Sequence, residues 1–363
     1  MSATWHTRNY QPGDEEGILA LWRESFPEGE QRRTELDYWR WQYLEGPSGP
    51  GLIRLAVSEN RIVGHAAAIP FQFMSKGKEV LGCLSLDSMT AAGFRGQGMF
   101  TRLEEELYDD LARSGVQFIY GFPNDNSIGV FLRKLDWKQL ATLPLRARPI
   151  RLDRIAKTSA PLSFLGPVLE QAAKLPQRFL WPTPQIPSEK RDHLVWLDEF
   201  DARAERLWRP LQEKNAIFLR RDEAFLNWRY ADNPGREYPI LGYEEGEDLQ
   251  GLIVLRRMEA FGLQGGMILE LQALPGREDL IPILLDAAVE HFAREEMDLA
   301  LCLTPRGSSL ERPLRSKRFL AVPERLGHKK WYFGGRGLPY SGEVAMLEPI
   351  ASWYLTLGDT DII

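Results

Sequence analysis

The chain has 363 residues, 44% of them hydrophobic and 26% charged, with a formal net charge of −6. That is longer than one typical domain and ordinary for a folded globular protein. An acidic balance supplies no basic field for nucleic acid, Met1 to His6 lack a secretion-signal pattern, and no apolar run nears the roughly 18 residues of a membrane span.

We therefore expect a cytoplasmic protein with no nucleic-acid or membrane partner, and leave its oligomeric state open. The two cysteines, Cys83 and Cys302, each sit in an apolar strand-like run. Buried structural thiols are expected there, with no metal site.

In chain order, Trp5 to Tyr10 reads as a strand and Asp14 to Ser25 as a helix with Ile18, Leu19, Leu21 and Trp22 on one face. Glu35 to Leu44 is a second helix. Leu52 to Ser58 and Ile62 to Phe73 form a hairpin around Glu59-Asn60, and Leu81 to Thr90 is the next strand. A helix follows from Gly98 to Ser114, with Met99, Leu103, Leu107 and Leu111 inward, Glu104, Glu105 and Asp109 outward, and Gly115 as its C-cap. Gln117 to Tyr120 is a strand, Ser127 to Leu135 a short helix, and strands resume at Trp137.

The stretch Thr90-Ala91-Ala92-Gly93-Phe94-Arg95-Gly96-Gln97-Gly98-Met99-Phe100 carries the most chemistry. A strand that turns through glycines into a helix presents unpartnered N–H groups and the positive end of a helix dipole, and Arg95 adds a full charge. Such a loop suits a phosphate. It lacks the third glycine of a dinucleotide fingerprint and the Gly-Lys-Ser/Thr of a nucleotide P-loop.

A faint repeat runs through the chain. Leu21-Trp22-Arg23 recurs as Leu207-Trp208-Arg209, 186 residues later, and Trp41-Gln42-Tyr43-Leu44-Glu45-Gly46-Pro47 recurs as Trp228-Arg229-Tyr230-Ala231-Asp232-Asn233-Pro234, 187 residues later. Arg32-Arg33-Thr34-Glu35 is echoed by Arg220-Arg221-Asp222-Glu223. Two matches at nearly one offset predict tandem copies of one domain. The second copy reads as strand His193 to Phe200, helices Ala202 to Lys214 and Ala224 to Tyr230, strands Tyr238 to Tyr243, Leu252 to Arg256 and Met267 to Leu274, helix Leu280 to Glu296, strand Leu299 to Leu303 and helix Leu310 to Lys317. At the loop position it has Leu274-Pro275-Gly276-Arg277-Glu278-Asp279, whose acids would compete with phosphate.

Arg95-Gly96-Gln97-Gly98-Met99-Phe100 resembles the pyrophosphate loop Arg/Gln-x-x-Gly-x-Gly/Ala of the Gcn5-related N-acetyltransferase (GNAT) superfamily, departing from it at Phe100. The element order is similar to that fold. The tandem arrangement resembles bacterial two-domain acetyltransferases and N-myristoyltransferases. The implied fold class is α+β (α/β): two tandem GNAT-like domains, each a mixed, mostly antiparallel sheet flanked by helices. The expected bounds are 1–146 for a coenzyme A-binding domain, 147–190 for a helical connector, 191–342 for a degenerate copy and 343–363 for a tail.

The resemblance implies an acyl-CoA-dependent N-acyltransferase, with acetyl-CoA as co-substrate, a small-molecule amine such as an amino sugar as acceptor, and no metal. Arg95, Gly96, Gln97, Gly98, Met99 and Phe100 would hold the pyrophosphate. Met89 and Thr90 would hold the pantetheine, with the Met89 N–H on the thioester carbonyl, and Asn126 would line its path. Asp87 occupies the place of the family's strand carboxylate and is one candidate base; the carboxylate of Ile363 is another, by resemblance to the tandem groups. The family's acid Tyr maps to Leu132, so Tyr120 is the substitute candidate. A thiolate leaves readily without an acid. A non-catalytic acyl-CoA-binding protein and an aminoacyl-tRNA-dependent peptidoglycan transferase are the alternatives.

Overall fold

A computed structural model describes residues 4–27, 29, 31–155, 181–212, 217–260, 262–322, 330–339 and 349–360. The chain divides into two compact units. One comprises Met1–Ala141, Asn215–Arg236 and Tyr332–Trp353; the other comprises Thr142–Lys214, Glu237–Trp331 and Tyr354–Ile363.

Among the described residues, sixteen strands run in chain order as β1 (His6–Asn9), β2 (Leu52–Ser58), β3 (Arg61–Ser75), β4 (Lys78–Thr90), β5 (Phe118–Gly121), β6 (Lys138–Leu143), β7 (Leu145–Pro149), β8 (Leu194–Leu197), β9 (Ile217–Leu219), β10 (Ile240–Glu245), β11 (Asp248–Ala260), β12 (Leu263–Ala273), β13 (Leu299–Leu303), β14 (Leu320–Ala321), β15 (Trp331–Gly337) and β16 (Trp353–Tyr354). The first sheet has the order β1-β2-β3-β4-β5-β15-β6, with β9 on β3 and β16 on β9; the second has the order β14-β7-β13-β12-β11-β10-β8. Both are mixed. In each, an antiparallel hairpin (β3–β4, β11–β12) is followed by a helix and a parallel strand (β5, β13), which is the crossover a parallel neighbour requires.

Four helices of the first unit matter for the site: α1 (Glu15–Ser25), α2 (Leu36–Leu44), α3 (Met99–Arg113) and α4 (Ile128–Lys134). The predicted inward positions of α1 and α3 are all buried. Gly64 on β3 seats α3, because a Cβ there would come within 2.6 Å of the Met99 sulfur. In the second unit the helix Leu280–Arg294 packs Leu284, Leu285, Ala288 and Phe292 over β11 to β13.

Three sequence expectations change. Glu104, expected outward, is fully buried on α3: one step past Leu103, it falls on the wide arc that α3 turns inward. Leu145–Pro149, expected to border a connector, is a sheet strand paired to β13 and β14. Asn215–Arg236, expected in the C-terminal copy, packs in the first unit. Strand β15 went unread because its three glycines look like loop. Residues 156–180 of the expected connector lie outside the described residues. No helix among the described residues is long and apolar enough to cross a membrane.

Candidate functional site

The site is built on the second half of β4. This strand pairs with β5 only from Gly82 to Leu84, against Phe118 to Tyr120. It stays paired to β3 as far as Thr90. Beyond Leu84, β4 therefore leaves backbone groups without a strand partner on its β5 side. A bulge lies in this open half. The register steps from Leu86↔Ala67 to Met89↔His65, so Asp87 and Ser88 oppose the single residue Ala66. Asp87 takes φ +49°, a left-handed conformation that aspartate tolerates better than most residues.

The ladder decides which N–H faces the opening. Ala91 N donates to Val63 O at 2.9 Å. Bonded pairs recur at every second residue of an antiparallel ladder, so Met89 N–H turns to His65 on β3, and Thr90 N–H turns to the open edge. The Met89 N–H, expected at a carbonyl of the donor, is thus turned toward β3. The Thr90 hydroxyl is buried without a hydrogen-bond partner among the described residues.

After Thr90 the chain makes a short turn over Ala92–Phe94 and enters α3. Gly96 has φ +77° and Gly98 φ +78°, which L side chains rarely adopt. The first helical bond runs from Arg102 N to Gly98 O at 3.1 Å, so the N–H groups of Met99, Phe100 and Thr101 precede it. Arg95, Gly96, Gln97 and Gly98 are exposed. Arg95 Nε donates to the Thr90 carbonyl at 3.2 Å, and Gln97 Nε2 to the Gly93 carbonyl at 3.4 Å. The Phe100 ring packs edge-on against Phe131 of α4 at 5.4 Å, which explains a large residue where the pattern has a small one. In the second unit, Arg277 of the corresponding loop is held by Glu245 and Asp279.

On the α1/α2 face, Asp87 is the centre of a network. Its carboxylate accepts from Arg33 at 3.0 Å to both oxygens, from Tyr43 OH at 2.7 Å and from Gln42 Nε2 at 3.3 Å. Burial pushes this carboxyl up, but Arg33, Tyr43, His65 and Gln42 outweigh it and hold it below the usual carboxylate value. A carboxylate so engaged is a poor proton acceptor, so the network makes Asp87 a clamp on Arg33 and Tyr43. The same burial drives the Tyr43 hydroxyl well above its ordinary value.

His65, on β3, is 1% exposed. Its Nδ1 lies 2.7 Å from the Asp87 carbonyl oxygen, and its Nε2 has no hydrogen-bond partner among the described residues. Burial lowers its basicity, against the raising influence of Asp87. A cavity of about 10 Å³, lined by His65, Asp87, Met89, Arg33, Trp22 and Trp39 among others, adjoins this group.

The opposite face of the bulge carries a second buried carboxyl. Ser88 Oγ donates to Glu104 at 2.5 Å, and Glu104 Oε2 is otherwise unpartnered among the described residues. Burial raises the Glu104 carboxyl to about 7, against Ser88 and Tyr108. Neither His65 nor Glu104 was singled out from sequence. The available signal for His65 was a lone histidine inside an apolar strand.

Tyr120 is fully buried among Phe73, Phe118, Phe333 and Trp353, the setting of a core side chain and not of a proton donor to substrate. Leu132 is exposed. Asn126 is exposed at the start of α4, and Asn124 does the local capping, accepting from Asn126 N at 2.9 Å and Ser127 N at 3.1 Å. Ile363 lies outside the described residues. Both cysteines are buried, with the Cys302 thiol pushed up to about 12 by burial. No cluster of metal-ligating side chains occurs among the described residues.

The first sheet thus opens its parallel pair, β4 and β5, beside a helix that starts at left-handed glycines. Residues 6–140 match the family described as Acetyltransferase (GNAT) domain. A GCN5-related N-acetyltransferase from Anabaena variabilis is similar with a TM-score of 0.60 and 13% identity, over 92% of this chain and 72% of that one. Saccharomyces cerevisiae N-myristoyltransferase with bound myristoyl-CoA is similar with a TM-score of 0.61 and 13% identity, over 93% and 85%. A tandem GNAT protein from the clavulanic acid biosynthesis pathway gives a TM-score of 0.57 and 11% identity, over 92% and 98%. The fold is thus two tandem GNAT-like domains. No curated protein matches the sequence.

Proposed function

We propose that the protein is an acyl-CoA-dependent N-acyltransferase that moves an acetyl group from acetyl-CoA to a primary amine of a small molecule, an amino sugar being the favoured case. The observation that carries this reading is the conjunction, in the first unit, of the left-handed Gly96 and Gly98 at the start of α3 with the unpaired edge of β4. The N–H groups of Met99, Phe100 and Thr101 take the pyrophosphate with Arg95, and the open edge from Leu86 to Thr90 takes the amide-bearing pantetheine arm. Thr90 N–H meets the charge that develops on the carbonyl oxygen, and its orphaned hydroxyl gains a partner. Bound acyl-CoA supplies an activated acyl group with a thiolate as leaving group. A structural neighbour, the yeast N-myristoyltransferase, holds an acyl-CoA, which supports the same class of donor here. The acceptor amine approaches from the α1/α2 side, where Arg33, Tyr38, Trp39, Gln42 and Tyr43 come from the 28–43 stretch.

Calorimetry with acetyl-CoA, followed by thiol release across a panel of amines, tests this. Saturable binding with amine-dependent release is expected. Binding without release by any amine would favour the non-catalytic alternative, for which the exposed Leu132 at the family's acid position already speaks. No binding would sink both.

A further inference from the structure

We propose that His65 Nε2 is the proton acceptor for the amine, a catalytic group at the site read above as an acyl-transfer centre; the inference rests on that reading. Four observations carry it. First, the tautomer is set by geometry. The Asp87 carbonyl 2.7 Å from Nδ1 can only accept, so Nδ1 carries the hydrogen and the neutral ring presents a lone pair at Nε2. Second, that lone pair is buried and has no donor among the described residues, an arrangement with a cost unless a ligand supplies one.

Third, the neighbouring donors are committed elsewhere. Arg33, Gln42 and Tyr43 all point to the Asp87 carboxylate. The charged and titratable groups around the ring are Asp87 from β4, Arg33 from the turn before α2, and Tyr38 and Tyr43 from α2; the α1 side contributes Ile18, Leu19 and Trp22. The group that Nε2 awaits is therefore an N–H donor from outside, and the cavity of about 10 Å³ admits something the size of one amine nitrogen. Fourth, the placement suits the reaction. His65 is the register partner of Met89, so the two side chains stand on one face, one residue from the Thr90 N–H assigned to the carbonyl. The network around Asp87 holds the ring in place, and burial keeps it neutral at neutral pH, ready to accept.

The step balances. The ammonium gives one proton to Nε2, which passes it to solvent, and the freed amine nitrogen bonds to the thioester carbonyl carbon. The carbon–sulfur bond breaks, and the second nitrogen proton goes to the departing sulfur, which leaves as the thiol.

The test uses His65→Asn, whose amide nitrogen overlays Nδ1 and keeps the bond to the Asp87 carbonyl while removing the base. Acetyl-CoA affinity should stay within about twofold, and kcat should fall on the order of 100-fold or more. The loss should shrink for weakly basic amines, which arrive unprotonated, and the acidic limb of the kcat/KM profile should disappear. Full turnover with an unchanged limb would overturn the assignment, as would a loss equal for all amines. A nitrogen NMR titration gives a readout without turnover: the chain has 5 histidines, and the His65→Asn variant identifies the signal. An unprotonated Nε2 at neutral pH that shifts on adding amine is expected. A protonated Nε2 overturns His65 alone, whereas wild-type protein that releases no thiol with any amine overturns the acyltransfer reading with it.

Discussion

Trp41 and Trp228, which hold the same place in the two copies of the repeat, stack on each other with ring centroids 5.0 Å apart and planes tilted by 20°. Each indole donates to the other's backbone carbonyl: Trp41 Nε1 to Trp228 O at 2.8 Å, and Trp228 Nε1 to Trp41 O at 3.1 Å. The contact is self-complementary, as between symmetric partners. It fastens the 215–236 segment to α2, the helix that also carries Gln42 and Tyr43 to Asp87. The repeat thus has a structural consequence: a piece of the second copy braces the wall of the site in the first unit.

Because each indole N–H satisfies a buried carbonyl, Trp41→Phe and Trp228→Phe should each destabilise the protein by about 1–3 kcal/mol. The Ala variants should cost about 3–5 kcal/mol. In a double-mutant cycle the Phe substitutions should show coupling, since they remove two halves of one contact. Urea unfolding followed by circular dichroism measures this, and strictly additive losses would argue against a reciprocal pair.

For the loop, Arg95→Glu combined with Gly98→Asp should abolish acetyl-CoA binding. It places negative charge at the proposed pyrophosphate site at the start of α3, and Gly98→Asp also puts a side chain at φ +78°. That strain is worth about 1–2 kcal/mol, small enough to leave a folded domain. Calorimetry alongside thermal melting separates the two effects. Unchanged affinity in a folded variant refutes the phosphate assignment.

Asp87 and Arg33 are both largely buried, with side chains 10% and 14% exposed. Asp87→Asn strands Arg33 and should cost about 3 kcal/mol at neutral pH. The carboxyl is held low in the folded state, so its stabilisation is present above the unfolded pKa of about 3.9 and fades as pH falls through the folded value. Wild type and variant should therefore converge in acid. A gap that persists undiminished toward pH 2 would assign the loss to packing.

Much of this was legible in the sequence, and the reasons differ by element. The α3 stripe at Met99, Leu103, Leu107 and Leu111 and the glycine loop before it are local patterns, and local patterns survive folding. The repeat at Trp41 and Trp228 announced two copies, but not that the copies would exchange the 215–236 and 145–149 segments, because pairing partners leave no trace in spacing. The Asp87 bulge was invisible because alternation assumes a regular strand. That one extra residue changes which backbone N–H faces the opening, turning Thr90 outward in place of Met89. His65 escaped for a related reason: its role depends on a carbonyl 22 residues away.

The buried carboxyl of Glu104 makes the last prediction. Its folded pKa is raised to about 7 from an unfolded value near 4.3. A raised carboxyl binds its proton more tightly in the folded state, so the full contribution is present below about pH 4 and is lost as pH rises through about 7. At 1.36 kcal/mol per unit the loss amounts to roughly 4 kcal/mol by pH 8–9. Glu104→Gln keeps a polar partner for Ser88 but cannot ionise, so it should gain about that much on wild type between pH 4 and pH 9. Ser88→Ala should shift the wild-type transition to higher pH, because the 2.5 Å bond from Ser88 favours the ionised form. Urea midpoints taken across that range check both, and parallel curves for wild type and Glu104→Gln would show that the carboxyl is already ionised at low pH.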